Sequence, residues 1–283
     1  LTETARDGVL MAKVPPAPRP GRRPATEGVA LDRGVFLRPI AHRGLHNKSR
    51  GLIENTAPAF LAAIEHDYGI ECDLQPARDG TPMVFHDATL DRLTRGHGRI
   101  AAHTPQELSR VRYKDQDLGI LSLSELLELV AGRVPLLVEI KSDGRLPKGF
   151  LATIAEQATG YRGPIALMSF DRAIVSQCAR LAPDVARGIV IGSHQLASNW
   201  WAGPSAAGQN AAVAALLNKA PAEISFFAID VRMLEPAKAW LAEHAPAATL
   251  FTWTVRTAKE RAAAARWADA PIFEAAAGAG AMS

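Results

Sequence analysis

Four apolar runs in this chain end in charge: Ala41-His42-Arg43-Gly44, Ile70-Glu71-Cys72-Asp73, Met83-Val84-Phe85-His86-Asp87 and Val138-Glu139-Ile140-Lys141. Short runs of Val, Ile, Leu and Phe with little polar alternation are the mark of parallel strands buried on both faces. Ionisable groups at the ends of such strands are costly to bury unless they converge on something they serve. The pattern therefore places a site at the carboxyl ends of parallel strands.

The rest of the chain fits that architecture. Strand-like runs lie at Arg38–His42, Gly69–Asp73, Pro82–His86, Pro135–Lys141, Pro164–Phe170, Ala186–Gly192, Phe226–Asp230 and Thr249–Val255. Helical patterns separate most of them. Ala57–His66 carries Phe60 and Ile64 on one face, and Asp171 can cap a helix with Ile174, Val175, Cys178 and Leu181 along one stripe. Thr104 with Glu107, Ser122 with Glu125 and Thr257 with Glu260 read as capping boxes. Eight strands alternating with helices predict an α/β fold, a (β/α)8 TIM barrel with a small insertion over 88–120 after the third strand. An open doubly wound sheet is the alternative, and the lack of a Gly-rich loop after the first strand weakens it. The expected division is a Pro/Arg-rich arm over 1–34, a barrel domain over 35–274 and a tail of small residues over 275–283.

Composition narrows the function classes. The chain has 283 residues and a formal charge of +3, too little to argue for nucleic acid but compatible with an anionic small molecule. No run approaches the ~18 apolar residues of a membrane span, and no signal-peptide segment is evident, so a cytoplasmic chain without a transmembrane segment is expected. Cys72 points away from Glu71 and Asp73 on a strand and reads as packing; Cys178 lies in a helical pattern, and no disulfide is expected.

Strand alternation sorts the charged residues. Glu71 and Asp73 share one face, as do Glu139 and Lys141, while His42 and His86 close their own strands. If these faces point into a barrel, three carboxylates crowd together. A hard divalent cation, Mg²⁺ or Ca²⁺, relieves their repulsion, which marks Glu71, Asp73 and Glu139 as candidate metal ligands. Salt bridges to Arg43 and Lys141 without a metal are the plainer alternative. Beside such a cation, His42 and His86 suit proton transfer better than zinc ligation. Arg43 and Lys141 suit a phosphate that gains charge in a transition state. Trp253 can contact substrate or simply pack, Asp230 and Arg232 can pair at the rim, and His46, His97 and His103 read as surface or loop residues.

These segments are similar to those of the glycerophosphodiester phosphodiesterases. The resemblance rests on His42-Arg43-Gly44, Glu54-Asn55-Thr56 with Ala57-Pro58-Ala59-Phe60, Glu71-Cys72-Asp73-Leu74-Gln75, and Asp79-Gly80-Thr81-Pro82 with Val84-Phe85-His86-Asp87. It continues through Thr89-Leu90-Asp91-Arg92, Val138-Glu139-Ile140-Lys141, Ser169-Phe170-Asp171 and Trp253-Thr254-Val255, in family order. It implies a TIM barrel, one divalent cation on Glu71, Asp73 and Glu139, an acid–base pair of His42 and His86, and phosphate contacts from Arg43 and Lys141. It also implies supporting roles near the substrate for Glu54 and Asn55. The implied reaction is hydrolysis of a glycerophosphodiester to sn-glycerol 3-phosphate and an alcohol. Two features depart from the family pattern. Its closing Thr-Asp-x-Pro is replaced by Ala268-Asp269-Ala270-Pro271-Ile272-Phe273-Glu274, so that Asp269 or Glu274 closes the barrel, and Arg256 stands where Asn is frequent. The competing expectations are a related barrel phospholipase, either a lysophospholipase D or a lyase forming a cyclic phosphate, and a barrel that binds phosphate metabolites without turnover.

Overall fold

The computed structural model describes residues 28–196 and 206–275. Most of the expected arm and nearly all of the expected tail lie outside them.

Eight parallel strands close into a ring. In chain order they are β1 (Ile40–Ala41), β2 (Gly69–Pro76), β4 (Leu136–Ile140), β5 (Ile165–Ser169), β6 (Ala186–Ile191), β7 (Phe226–Asp230), β8 (Thr249–Val255) and β9 (Ala270–Phe273). β1 pairs with β2 on one side and β9 on the other, which completes the circle. Strand membership differs from the sequence expectation at two places. The run expected over Pro82–His86 gives β3 (Pro82–Val84), which pairs antiparallel with the outer end of β2 and stands outside the ring. β9 takes the eighth ring position instead; at four residues, with Pro271 inside it, it carries too little pattern to be read as a strand.

Alternation along the strands makes two cores. Ile70, Cys72 and Leu74 of β2 and Leu136, Val138 and Ile140 of β4 face outward, into a layer shared with the helices. The helices of this layer include α2 (Ala57–Glu65), α4 (Leu123–Val130), α5 (Phe150–Gly160) and α6 (Arg172–Leu181). Cys72 and Cys178 are both free and buried there as packing residues. Along α6, Ile174, Val175 and Cys178 are buried but Leu181, expected on the same stripe, is 41% exposed because the helix ends there. Ile40, Leu137, Ala166, Met168, Val190, Phe226, Ala228, Phe251 and Ile272 face inward and fill the barrel. This filling is what makes the site a shallow basin at one end rather than a pore.

The opposite end is plugged. A short helix, α1 (Arg33–Phe36), puts Phe36 and the preceding Leu31 into the inner core. Arg33 bonds Thr249 Oγ1 and Asp269 Oδ1, both at 2.9 Å, and Asp269 also accepts from the Leu250 amide at 2.7 Å. Thus the last part of the expected arm is packed under the strand N-termini.

Between β3 and α4 lies a satellite core of Met83, Phe85, Leu90, Ile100, Leu108, Tyr113 and Ile120. It includes α3 (Pro105–Arg110), started by a capping box of Thr104 and Glu107. The boxes of Ser122 with Glu125 and Thr257 with Glu260 open α4 and the last helix, Ala258–Trp267, in the same way. Each box satisfies backbone donors that a helix N-terminus otherwise leaves unpaired. Among the described residues, no helix is long and apolar enough to cross a membrane.

Gly188 on β6 leaves the inner space that Phe226 occupies: a Cβ there would lie 2.1 Å from the Phe226 ring. Gly188→Ala should therefore cost about 1–3 kcal/mol or more through overpacking. Gly160, at the end of α5 with open space around it, should become neutral or about 0.5–1 kcal/mol more stable as Ala. Urea unfolding of both variants checks this; equal effects would contradict the packed-barrel account.

Candidate active site

The site is assembled from the carboxyl ends of β1, β2 and β4 and the segment after β3. Asp73 of β2 stands directly opposite Glu139 of β4 in the parallel register, and Glu71 lies two residues deeper on the same face. All three side chains are buried, and each offers an oxygen within 4.8 Å of the others. Lys141 lies 2.9 Å from Asp73 Oδ1 and 2.5 Å from Glu139 Oε1. Arg43 Nε lies 3.2 Å from Asp73 Oδ2, and the Arg43 amide donates to Glu71 Oε2 at 2.9 Å.

The chain takes up unfavourable backbone to achieve this. Arg43 and Asn55 both have left-handed φ values, 55° and 56°, which cost energy in a non-glycine residue and cluster at functional sites. The two are tied together, since the Asn55 amide donates to the Arg43 carbonyl. Asn55 Nδ2 then donates to Asp73 Oδ2 at 2.9 Å, while Asn55 Oδ1 accepts from the Asp73 amide. Glu54 accepts from Arg43 at 2.7 Å and from both terminal nitrogens of Arg92. Glu54 and Asn55 thus brace the site from behind and do not line its cavity.

The electrostatics show what this arrangement lacks. Burial, with Asp73 and Glu139 alongside, pushes the Glu71 carboxyl well above its ordinary pKa. Burial also raises Glu139, even with Lys141 in contact. For Asp73 burial acts upward too, but Lys141 and Arg43 outweigh it and hold the carboxyl low. Glu71 Oε1 is buried without a hydrogen-bond partner among the described residues, a costly state for an ionised oxygen. An all-oxygen set with an unsatisfied buried carboxylate fits a hard divalent cation, and Glu71, Asp73 and Glu139 are the residues that can hold it.

Both histidines sit at the cavity with a carboxylate behind them. His42 Nδ1 donates to Glu274 Oε1 at 2.8 Å and His86 Nδ1 donates to Asp87 Oδ1 at 2.7 Å. A proton fixed on Nδ1 leaves Nε2 of each neutral ring as the free base. His42 Nε2 lies 3.8 Å from Glu71 Oε2. Burial is the main cause that lowers the pKa of both rings. Each carboxylate is in turn gripped by an arginine fork: Arg256 on both oxygens of Glu274, at 2.7 and 2.8 Å, and Arg92 on both oxygens of Asp87.

Sequence reasoning did not find these carboxylate partners. Asp87 follows His86 directly, which is a usable signal. Glu274 is over two hundred residues from His42, and only the closure of β9 onto β1 brings it near. His46 also differs from expectation: its side chain is 21% exposed, with Nε2 4.0 Å from Glu274 Oε1. His42, His46 and Glu274 have a zinc-like donor set, but Arg256 occupies both Glu274 oxygens. His97 is exposed, and His103 Nε2 meets the His97 carbonyl, away from the site.

Trp253 lines the cavity, where its ring meets Phe170 edge-on, and its Nε1 donates inward to the Ala228 carbonyl. Asp230 and Arg232 pair at the rim at 2.7 Å, as the sequence suggested.

The Glu274 network makes stability depend on pH. Burial pushes this carboxyl upward, but the hydrogen bonds from His42 and Arg256 outweigh it and hold the pKa below the ordinary value. A group lowered in the folded state adds stability that is complete above its unfolded pKa of about 4.3 and is lost as pH falls through the folded value. Arg256→Met should therefore destabilise the protein near about pH 7, with a loss that shrinks as Glu274 titrates below about pH 4. Urea unfolding across that range checks it, and a pH-independent loss would contradict the ion-pair assignment.

Comparison with known proteins gives the family and the fold. The model of the glycerophosphoryl diester phosphodiesterase family matches residues 42–273. A glycerophosphodiester phosphodiesterase of Caldanaerobacter subterraneus subsp. tengcongensis is 31% identical over 161 residues, covering 53% of this chain and 65% of that protein. A probable glycerophosphodiester phosphodiesterase 1 of Mycobacterium tuberculosis is 32% identical over 168 residues, covering 51% and 60%. The chain thus spans less than two thirds of the length of these curated relatives. Among solved structures, a putative glycerophosphoryl diester phosphodiesterase from Silicibacter pomeroyi superposes with a TM-score of 0.66 at 23% identity, covering 90% of this chain and 92% of that one. An Oleispira antarctica phosphodiesterase, solved with the product sn-glycerol-3-phosphate, gives 0.64 at 22% identity, covering 83% and 92%. These structures share the fold, and with the family match over 42–273 the chain belongs to the glycerophosphoryl diester phosphodiesterase family.

Proposed function

We propose that the chain hydrolyses glycerophosphodiesters to sn-glycerol 3-phosphate and an alcohol, using one divalent cation, Mg²⁺ or Ca²⁺, and acid–base catalysis by His42 and His86. The observation that carries this is the pairing of two imidazoles, each with a carboxylate on Nδ1, beside three buried carboxylates with an unsatisfied oxygen. The family match and the product found in the Oleispira relative point to the same diester class.

Each residue has a distinct task. Glu71, Asp73 and Glu139 would hold the cation, which when bound would supply Lewis acidity to the reaction. Arg43 and Lys141, both lining the cavity, orient the phosphate and offset its charge. One histidine takes a proton at Nε2 from the nucleophile, which is water, or the neighbouring glycerol hydroxyl by way of a cyclic phosphate that water then opens. The other, entering as the imidazolium with a proton on both nitrogens, gives its Nε2 proton to the leaving alcohol oxygen, and His86 is our choice for that acid. Asp87 and Glu274 keep a proton on each Nδ1 and fix the rings, so that exchange with the substrate takes place at Nε2.

The test is release of glycerol 3-phosphate from glycerophosphoglycerol and glycerophosphocholine, followed by phosphorus NMR. Release should require Mg²⁺ or Ca²⁺ and stop with chelator. His42→Ala and His86→Ala should each lower kcat by about 10²-fold or more. Wild-type-like turnover in both variants would remove the acid–base assignment. A cyclic phosphate that accumulates as the end product would make the protein a lyase.

A further inference from the structure

The cavity above the histidines has a volume of about 600 Å³, and beyond the phosphate-facing residues it has a second wall. That wall includes Phe170, His194, Arg232, Trp253 and Arg256. In the ring order β1, β2, β4, β5, β6, β7, β8, β9, Arg232 and Arg256 follow β7 and β8, diametrically opposite β2 and β4 with their carboxylates and Lys141. A cavity of this size holds a whole small diester, so a substrate bound by its phosphate at one pole reaches the other.

Both arginines are set in the same way. Arg232 places Nε and Nη2 on the buried carboxylate of Asp230 at 3.0 and 2.7 Å, and Nη2 also meets Ser193 Oγ. Arg256 places Nε and Nη2 on Glu274. The carboxylates lie beneath and the guanidiniums above: side-chain exposure is 62% for Arg232 against 5% for Asp230, and 54% for Arg256 against 20% for Glu274. In each fork Nη1 has no partner among the described residues. Glu260 also lines this wall, but its Oε2 accepts from the backbone amides of Arg256 and Thr257, both at 2.8 Å. A ligand therefore meets two held guanidiniums whose outer N–H groups are unused.

We infer that this wall is the subsite for the alcohol portion of the diester and that it selects an alcohol carrying a negative charge, such as a second phosphate, over a quaternary ammonium alcohol. The inference rests on the hydrolase reading above. Glycerol bears no charge, so a charge that reaches these arginines belongs to the alcohol. An anion there gains charge-assisted hydrogen bonds from donors already fixed in place. Asp230 and Glu274 offset the two guanidinium charges from behind, so discrimination comes from the nearest groups: an ammonium faces the positive edges of the unused Nη1–H groups, a local cost that works against the wrong partner.

The test compares kcat/KM for bis(glycerophospho)glycerol, glycerophosphoglycerol and glycerophosphocholine at saturating Mg²⁺. These carry a second phosphate, no charge and a quaternary ammonium on the alcohol. The expected order is anionic, neutral, cationic, with the first exceeding the last by about tenfold or more, beyond the statistical advantage of two equivalent diesters. The ratio should shrink as salt is raised. Arg232→Gln should bring the ratio close to unity and Arg232→Lys should keep most of it; a ratio between substrates is unaffected by any loss of folded enzyme. Equal kcat/KM for all three diesters, a choline preference, or an unchanged ratio in Arg232→Gln would overturn the inference while leaving the hydrolase reading intact. Turnover of none would overturn both.

Discussion

Three carboxylates share a buried space at the top of this barrel, and the rest of the site is arranged around their mutual repulsion. Taking one ionised carboxylate out of water is expensive, and placing others beside it adds to the cost. Lys141 and Arg43 offset part of that charge through Asp73 and Glu139. Glu71 remains with a raised pKa and an oxygen that nothing among the described residues satisfies. A fold that only needed stability would replace these groups with apolar ones of similar volume. The left-handed backbone at Arg43 and Asn55, and the tie between Asn55 and Asp73, show local structure shaped to hold the cluster in place.

A second layer follows from the first. The field of the cluster acts on two neighbouring histidines, and in the proposed acid–base roles each needs a fixed ring orientation to move a proton in a defined direction. The chain gives each ring a carboxylate on Nδ1 and each carboxylate an arginine fork. One arm is local, with Asp87 next to His86 and Arg92 a turn away in the satellite segment. The other is global, because Glu274 reaches His42 only when β9 closes on β1. Closure of the ring and orientation of His42 are therefore one event. On this view the satellite core matters because it fixes Arg92, which grips Asp87 and Glu54 together.

Much of the arrangement was legible in the sequence where a local rule applied. The two-residue period put Glu71 with Asp73 and Glu139 with Lys141, and the structure has them on shared faces. The three capping boxes opened three helices because the same short pattern satisfies the same orphan amides wherever it occurs. Legibility failed where identity depended on closure. Pro82–Val84 has the apolar content of a ring strand, yet its place is an antiparallel edge on β2. Ala270–Phe273 is a ring strand too short to announce itself. For the same reason Glu274 and His46 could be seen as residues but not as neighbours of His42. Strand-end positions, and then the family resemblance, singled out His42 and His86 as the candidate acid–base pair, but the anchoring of each ring depends on packing between segments distant in sequence.

The most direct test of the central claim is calorimetric titration of Mg²⁺ and Ca²⁺ into chelator-treated protein, with Asp73→Asn and Glu71→Gln alongside. If the buried carboxylates are a cation site, the wild-type chain binds one cation and each variant weakens it by about tenfold or more, the loss expected when a ligand charge is removed. No binding by folded wild-type protein, or binding that both substitutions leave unchanged, would contradict the account.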